Sequence, residues 1–293
     1  MDRLAPVRPH WTGIPFTAML RDGSAVFVKV FPRKRLPPTA LPALPVLVGL
    51  GLREVPRPVA SLSGAFHEPL GEDVVVVFEH VDAPRVDSTT LDQARIGDLI
   101  GRLHQQPQAP LARETFDWPF EARWRSLLAH AVTDPPGDAM AAELRAFLRE
   151  HEPRLTDAWG SFEKIITACR AATFEMVLTH GDWRFNLLHG ADDAIHLVDW
   201  DELLLAPPER DTWFATDDPD FLRGYRTVRG SYEPSELATA YYVHGRCFED
   251  LTGMLAAVVE HDDPAGVRST AVARLSGPWM IGLRERIARF RLA

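Results

Sequence analysis

Cysteine is scarce in this sequence, and the two present, Cys169 and Cys247, make neither a disulfide framework nor a metal cluster. Such sparse thiols fit a reducing cytoplasm, with both expected in the core. No apolar run reaches the roughly 18 residues needed to span a bilayer, and the opening MDRLAPVRPHW lacks the apolar centre of a secretion signal. A membrane partner is therefore not expected. No G-x-x-x-x-G-K-[ST] occurs, which excludes a P-loop nucleotide hydrolase or adenylating enzyme. No G-x-S-x-G occurs either, which excludes a serine-elbow hydrolase. Internal repeats and low-complexity tracts are also missing.

What is present is an ordinary globular composition, 46% hydrophobic and 25% charged, over 293 residues, a length that favours two lobes over one core. The charge is uneven. Residues 1–83 carry 9 Lys/Arg against 8 Asp/Glu, and the remainder 23 against 33. An acid-rich second part argues against a nucleic-acid partner, because phosphate binding needs a positive surface. It favours solubility, and it favours a cationic small molecule, which a negatively lined cleft concentrates.

The first 82 residues read as a small, β-rich lobe. Two β-prone runs, FTAML and AVFVKVF, flank Asp22-Gly23, a hairpin signal. An apolar stretch follows in which Pro42 and Pro45 are expected to kink or shorten any helix. DVVVVFEHV (73–81) reads as a strand buried on both faces. A linker is expected around 79–87, and then helices: one stopping before Pro107, others over 118–132, 138–150 and 155–172, and more beyond residue 233. Between them lies a strand–loop–strand segment, MVLTH entering and AIHLVDW leaving.

That segment holds Asp182, Asn186 and Asp199, each set beside apolar residues. Phosphoryl transfer needs a group to orient the attacking hydroxyl, oxygen ligands for a metal on the nucleotide phosphates, and a cation reaching those phosphates. Asp182, after an apolar strand, suits the first role. Asn186 and Asp199 suit Mg²⁺, which takes one or two hard protein oxygens and completes its octahedron with phosphate and water. Lys29, a lone ammonium in VFVKVF, suits the last, and if buried it requires an anionic partner. Taken singly, each has a plainer reading. Asp182 could be a turn or cap residue, His180 a structural brace, Asn186 turn chemistry, Trp183 and Trp200 core aromatics, and Lys29 an edge-strand lysine.

Together, HGD at His180–Asp182, Asn186, VDWD at Val198–Asp201 and LAPPERD ending at Asp211 resemble the aminoglycoside phosphotransferase family. Softer echoes are Lys29 on the third strand, VPRPV, GRLH at 101–104, FLRGY at 221–225 and GRCFEDL at 245–251. The resemblance implies an α+β, bilobal, protein-kinase-like fold, with a nucleotide-binding lobe over 1–82 and a helical lobe over 83–293. It implies ATP- or GTP-dependent O-phosphorylation of a small-molecule hydroxyl, an antibiotic first, with Mg²⁺ as cofactor. A primary-metabolite kinase (for an amino alcohol, sugar or nucleoside) and a catalytically weak nucleotide-binding module are the alternatives. Asp182 would be the catalytic residue that accepts the hydroxyl's proton, with Lys29 and the linker residues Glu79, His80 and Val81 at the nucleotide. Asn186 and Asp199 would hold metal, and Asp201, Asp217 and Asp218 would face the acceptor. Asp211 would brace the loop. A monomer or weak dimer is expected.

Three departures stand out. Three residues, rather than the family's usual four, separate Asp182 from Asn186, so the loop closes tighter. No acid lies between Asp22 and Glu54, which makes Glu54 the first available partner for Lys29 in place of the family's helix glutamate, with Asp199 or the nucleotide alone as the alternatives. No glycine-rich loop precedes Lys29; HWTGIPFTA has Gly13 alone.

Overall fold

Asp22 and Gly23 make the turn of a hairpin between β2 (Ile14–Met19) and β3 (Ala25–Phe31), with Gly23 at φ 85°. With β1 (Arg3–Pro6), β4 (Glu68–Leu70) and β5 (Asp73–Glu79) they form an antiparallel sheet ordered β1-β2-β3-β5-β4. The computed structural model describes residues 3–6, 12–108, 110–133, 137–260, 268–275 and 277–289.

β3 is an interior strand, so Lys29 is not an edge lysine. It sits opposite Pro15 on one side and Val76 on the other. Side chains alternate along a strand, and Lys29 and Phe31 point to the same, buried face. The valine run lies between β3 and β4, but only Val76 within it is fully buried. It was expected to be covered on both faces. Instead one face packs on a small core of Phe31, Ala40, Leu44 and Val76, and the other remains partly open.

Helix α1 (Ala40–Gly49) forms in spite of its prolines. Pro42 falls in the first turn, where the missing N–H has no intrahelical acceptor in any case. Pro45 gives up a single bond while Ala43, Leu44 and Leu47 stay buried.

The chain packs as two compact units, Met1–Glu114 with Glu175–Glu233, and Thr115–Phe174 with Pro234–Ala293. The first also holds α2 (Gln93–His104), the short strands β6 (Val177–Thr179), β7 (Leu187–His189), β8 (Ile195–Leu197) and β9 (Leu204–Ala206), and the helices α5 (Glu209–Thr212) and α6 (Pro219–Arg229). β6 pairs with β9 and β7 with β8, so the strands on either side of the 180–186 loop belong to separate ribbons. Helices α2 and α6 meet backbone to backbone, because Gly97 lies against the Phe221 carbonyl and Gly224 against that of Ala94.

The second unit is α3 (Glu121–Thr133), α4 (Ala139–Ala171), α7 (Glu236–Val259), α8 (Ala271–Leu275) and α9 (Pro278–Arg289). Its core is aromatic: Trp118, Trp124, Trp159, Phe162 and Phe248 surround one another, with Phe162 and Phe248 stacked at 5.7 Å. The two helices expected over 138–150 and 155–172 are one continuous helix of 33 residues. Pro153 sits on its exposed side, and the carbonyl it leaves unbonded, that of Arg149, is on an exposed residue where water can serve it. Cys169 and Cys247 are free and buried, and burial pushes the Cys247 thiol up to about 12. No helix among the described residues is long and apolar enough to cross a membrane.

Candidate active site

Lys29, Glu79–Val81, Asp182, Asn186, Asp199, Asp201, Asp211, Asp217 and Asp218 all lie in the first unit. β6 is buried along its length and delivers the chain to His180 and Gly181. Gly181 has φ 92°, a left-handed conformation open to glycine at little cost. Beneath it, Asp211 accepts from the backbone N–H of His180 at 2.8 Å and of Gly181 at 2.6 Å. Its Oδ2 also accepts from His104 Nε2 at 3.1 Å, and His104 Nδ1 accepts from the Tyr225 hydroxyl at 2.7 Å. The Asp211 carbonyl takes the Trp183 indole N–H at 2.7 Å. Burial pushes the Asp211 carboxyl up, but its bonds and charge partners outweigh that and hold it below the usual carboxylate range.

His180 is fully buried. Its Nε2–H donates to the Val198 carbonyl at 2.9 Å, and Nδ1 accepts the Asp182 N–H at 3.2 Å. Burial holds this ring below its ordinary value, hence neutral. His180 is thus the brace that its position implied. It fixes the backbone of Asp182, whose side chain is half-buried at the head of a short 3₁₀ turn, Trp183–Phe185.

Asn186 closes the turn. Its Nδ2 donates to the Asp182 carbonyl at 2.8 Å, and its Oδ1 accepts from Arg85 Nη1 at 2.9 Å. The same arginine nitrogen donates to the Phe185 carbonyl at 2.7 Å. Arg85 gets there because the segment 84–86 runs beside β7, with Val86 N–H on Leu187 and His189 N–H on Pro84. The Val198 N–H donates to the Asn186 carbonyl at 3.0 Å, which sets Asn186 beside the backbone leading to Asp199.

Asp199 has φ 69°, rare for a residue with a side chain and a mark of positions held by their surroundings. Its Oδ1 accepts from Lys29 Nζ at 2.5 Å. Asp201 Oδ2 is the ammonium's second partner and also accepts from Thr12 Oγ1 at 2.8 Å. Thr39, at the start of α1, donates to the Asp201 carbonyl at 2.5 Å. Burial pulls the Lys29 ammonium down, but the two carboxylates outweigh it and raise its pKa. Burial and the neighbouring Asp199 push Asp201 up to about 6. Gly13 is where it is for clearance, since a Cβ there would come within 2.7 Å of Lys29 Cε.

Two carboxylates against one ammonium leave this cluster with an excess of negative charge. With the Asn186 oxygen, Asp199 offers a hard-oxygen set suited to Mg²⁺. Among the described residues no group of three or more His, Cys, Asp or Glu forms a metal cage.

The other expected residues are dispersed. Glu54 pairs with Arg102 at 2.9 Å, not with Lys29. Glu79, His80 and Val81 line a cavity of about 550 Å³ with Arg53, Val55 and Pro56. The Glu79 carboxylate accepts from the Arg57 N–H at 3.1 Å. Asp218 caps α6, accepting from the N–H groups of Asp220 and Phe221 at 3.0 Å, and Asp217 is exposed next to it. Asp201 points at Lys29. The sequence flagged GRLH and FLRGY without giving His104 and Tyr225 a task; His104 holds Asp211 and Tyr225 holds His104. Arg85, Thr12 and Thr39 carried no signal.

The sequence profile of the phosphotransferase enzyme family matches residues 7–239. A spectinomycin phosphotransferase structure in complex with ADP and spectinomycin is similar at TM-score 0.78 and 18% identity, covering 98% of this chain and 92% of that one. An amicoumacin kinase in complex with AMP-PNP and Ca²⁺ is similar at 0.64 and 15%, covering 98% and 88%. A choline/ethanolamine kinase family protein from Mesorhizobium loti is similar at 0.53 and 14%, covering 98% and 92%. These likenesses show the kinase-like α+β fold. Among curated proteins, none matches.

Proposed function

Because this chain belongs to the phosphotransferase enzyme family, we propose that it transfers the γ-phosphoryl group of ATP or GTP to a hydroxyl of an antibiotic-like small molecule. The observation that carries the reading is the joining of Lys29 to Asp199 in the unit that also sets Asp182 against Asn186. In this reading Asp182 accepts the acceptor hydroxyl's proton as the new oxygen–phosphorus bond forms and the bridging bond to the nucleoside diphosphate breaks. Lys29 reaches the phosphates. Asp199 and Asn186 would hold Mg²⁺, which when bound neutralises charge on the phosphates. The linker Glu79–Val81 would meet the base, and 82/83 would be the boundary between nucleotide and acceptor lobes. Nucleoside triphosphate and free thiols both accord with a cytoplasmic setting.

An antibiotic acceptor is favoured over an amino alcohol because the likeness is greater to the spectinomycin enzyme, at TM-score 0.78, than to the choline/ethanolamine kinase family protein, at 0.53. The acid excess after residue 83 favours a cationic acceptor, with Asp217 as a candidate contact and the capping role of Asp218 arguing for a lesser share. Incubation with labelled ATP or GTP and a panel of antibiotics, amino alcohols, sugars and nucleosides tests the reading. Gain of one phosphate by a panel member supports it. Nucleotide binding without turnover on any member would replace it by a binding module. Asp182→Asn should lower kcat by about 10²–10⁴-fold with nucleotide affinity little changed.

A further inference from the structure

A buried ammonium needs an anion at all times, because unpaired it would be costly or would lose its proton. Lys29 is 4% exposed. Helix α1, the nearest helix in sequence, contains no acid at all. Glu54, the next acid along the chain, is committed to Arg102. Of the two carboxylates on Lys29, Asp199 is the one our functional reading assigns to metal. Asp201 remains.

Asp201 is built in from several directions. Its carboxylate is on Lys29 and on the Thr12 hydroxyl, and its carbonyl is on the Thr39 hydroxyl. One residue thereby ties together the strand holding the ammonium, the segment before β2 and the start of α1. Its side chain is 10% exposed, so an acceptor in open solvent has little access to it.

We propose that Asp201 is the positioning residue for Lys29, the standing counter-ion that keeps the ammonium aimed when Asp199 engages a metal-bound phosphate. The proposal rests on the functional reading only for the role of Asp199. The Lys29–Asp201 pairing itself can be tested without nucleotide.

The chain has three lysines, Lys29, Lys34 and Lys164. The last two are exposed and serve as internal references for acetylation read by peptide mass spectrometry. In the wild-type protein Lys29 should be protected. In Asp201→Asn its acetylation relative to the references should rise by about tenfold or more, the worth of one charge-assisted bond. The nucleotide KM should rise by a similar factor, about tenfold. The Mg²⁺ concentration for half-maximal rate and the acceptor KM should stay at wild-type values. Should Asp201→Asn fail to fold by circular dichroism, Thr12→Val removes a neutral donor from the same carboxylate and should raise Lys29 labelling about threefold.

Protection of Lys29 in Asp201→Asn equal to wild type, with protection lost in Asp199→Asn, would overturn the proposal. So would a raised Mg²⁺ requirement, which makes Asp201 a metal ligand, or a raised acceptor KM alone, which makes it an acceptor contact. If the wild-type protein bound no nucleotide, the functional reading would fail. The labelling comparison would still decide the pair.

Discussion

Asp211 holds the backbone of His180 by one carboxylate oxygen, at 2.8 Å, from 31 residues further along the chain. The other oxygen holds Gly181 at 2.6 Å, so a single buried acid sets the direction in which the loop presents Asp182. Asn at this position would turn an NH₂ group toward a backbone N–H and leave His104 facing an uncharged partner. Asp211→Asn should therefore lower stability by roughly 1.5–3 kcal/mol, the range for a hydrogen bond to a charged group. Urea unfolding followed by tryptophan fluorescence measures it. A loss below about 1 kcal/mol, the worth of a single neutral hydrogen bond, would mean that the loop is held by something else.

Asn186 is the residue most affected by the shortened loop. Its amide oxygen already accepts from Arg85, and a guanidinium there opposes the approach of a second cation. If the oxygen still ligates metal, Asn186→Ala should raise the Mg²⁺ concentration needed for half-maximal rate. Arg85→Ala should lower it by freeing the oxygen. Metal titrations of both variants that overlay the wild type would remove Asn186 from the metal site.

The candidate site segment was legible because its signals are local. HGD, the acid–amide spacing and VDWD each span only a few residues, and the hairpin at Asp22-Gly23 is a two-residue signal. Asp201 was assigned to the acceptor from the same stretch, and the fold sets its carboxylate on Lys29 and Thr12. Its partners are 189 residues away at Thr12 and 162 away at Thr39, and nothing short of the fold brings them together. Glu54 was the first acid after β3 and so the first partner considered for Lys29, with Asp199 the alternative; the fold pairs Lys29 with Asp199 and Glu54 with Arg102 of α2. Proline was overweighted. Pro45 and Pro153 each remove one helix bond, and burial on the opposite face of α1 and α4 outweighs that loss.

The crossing of α2 and α6 sets where Tyr225 meets His104, the residue that bonds Asp211. A Cβ on Gly224 would overlap the Ala94 carbonyl, and one on Gly97 would overlap that of Phe221. Backbone cannot yield as a flexible side chain would. Gly224→Ala should destabilise the protein by more than about 2 kcal/mol, at the upper end of ordinary overpacking costs. Gly253, with open space around its Cβ position, provides the control, and Gly253→Ala in the middle of α7 should be neutral or stabilising. Thermal melts of the two variants side by side give the comparison.

His180 also predicts an acid limit to stability. Burial keeps its native pKa below the ordinary histidine value of about 6.5. The unfolded chain therefore takes up a proton that the folded one refuses, and stability must fall as pH drops from about 6.5 toward the native pKa. Above about 6.5 both states are neutral at this ring and it contributes no slope. The ring's task makes the loss local, because a protonated Nδ1 could no longer accept the Asp182 N–H. Melting temperatures measured from pH 7.5 to 5.5 should decline for the wild type. His180→Gln, which keeps polar atoms without a titrating ring, should start lower and decline less steeply over that range. Equal slopes would assign the acid sensitivity to other groups and mean that the folded protein protonates His180 as readily as the unfolded chain does.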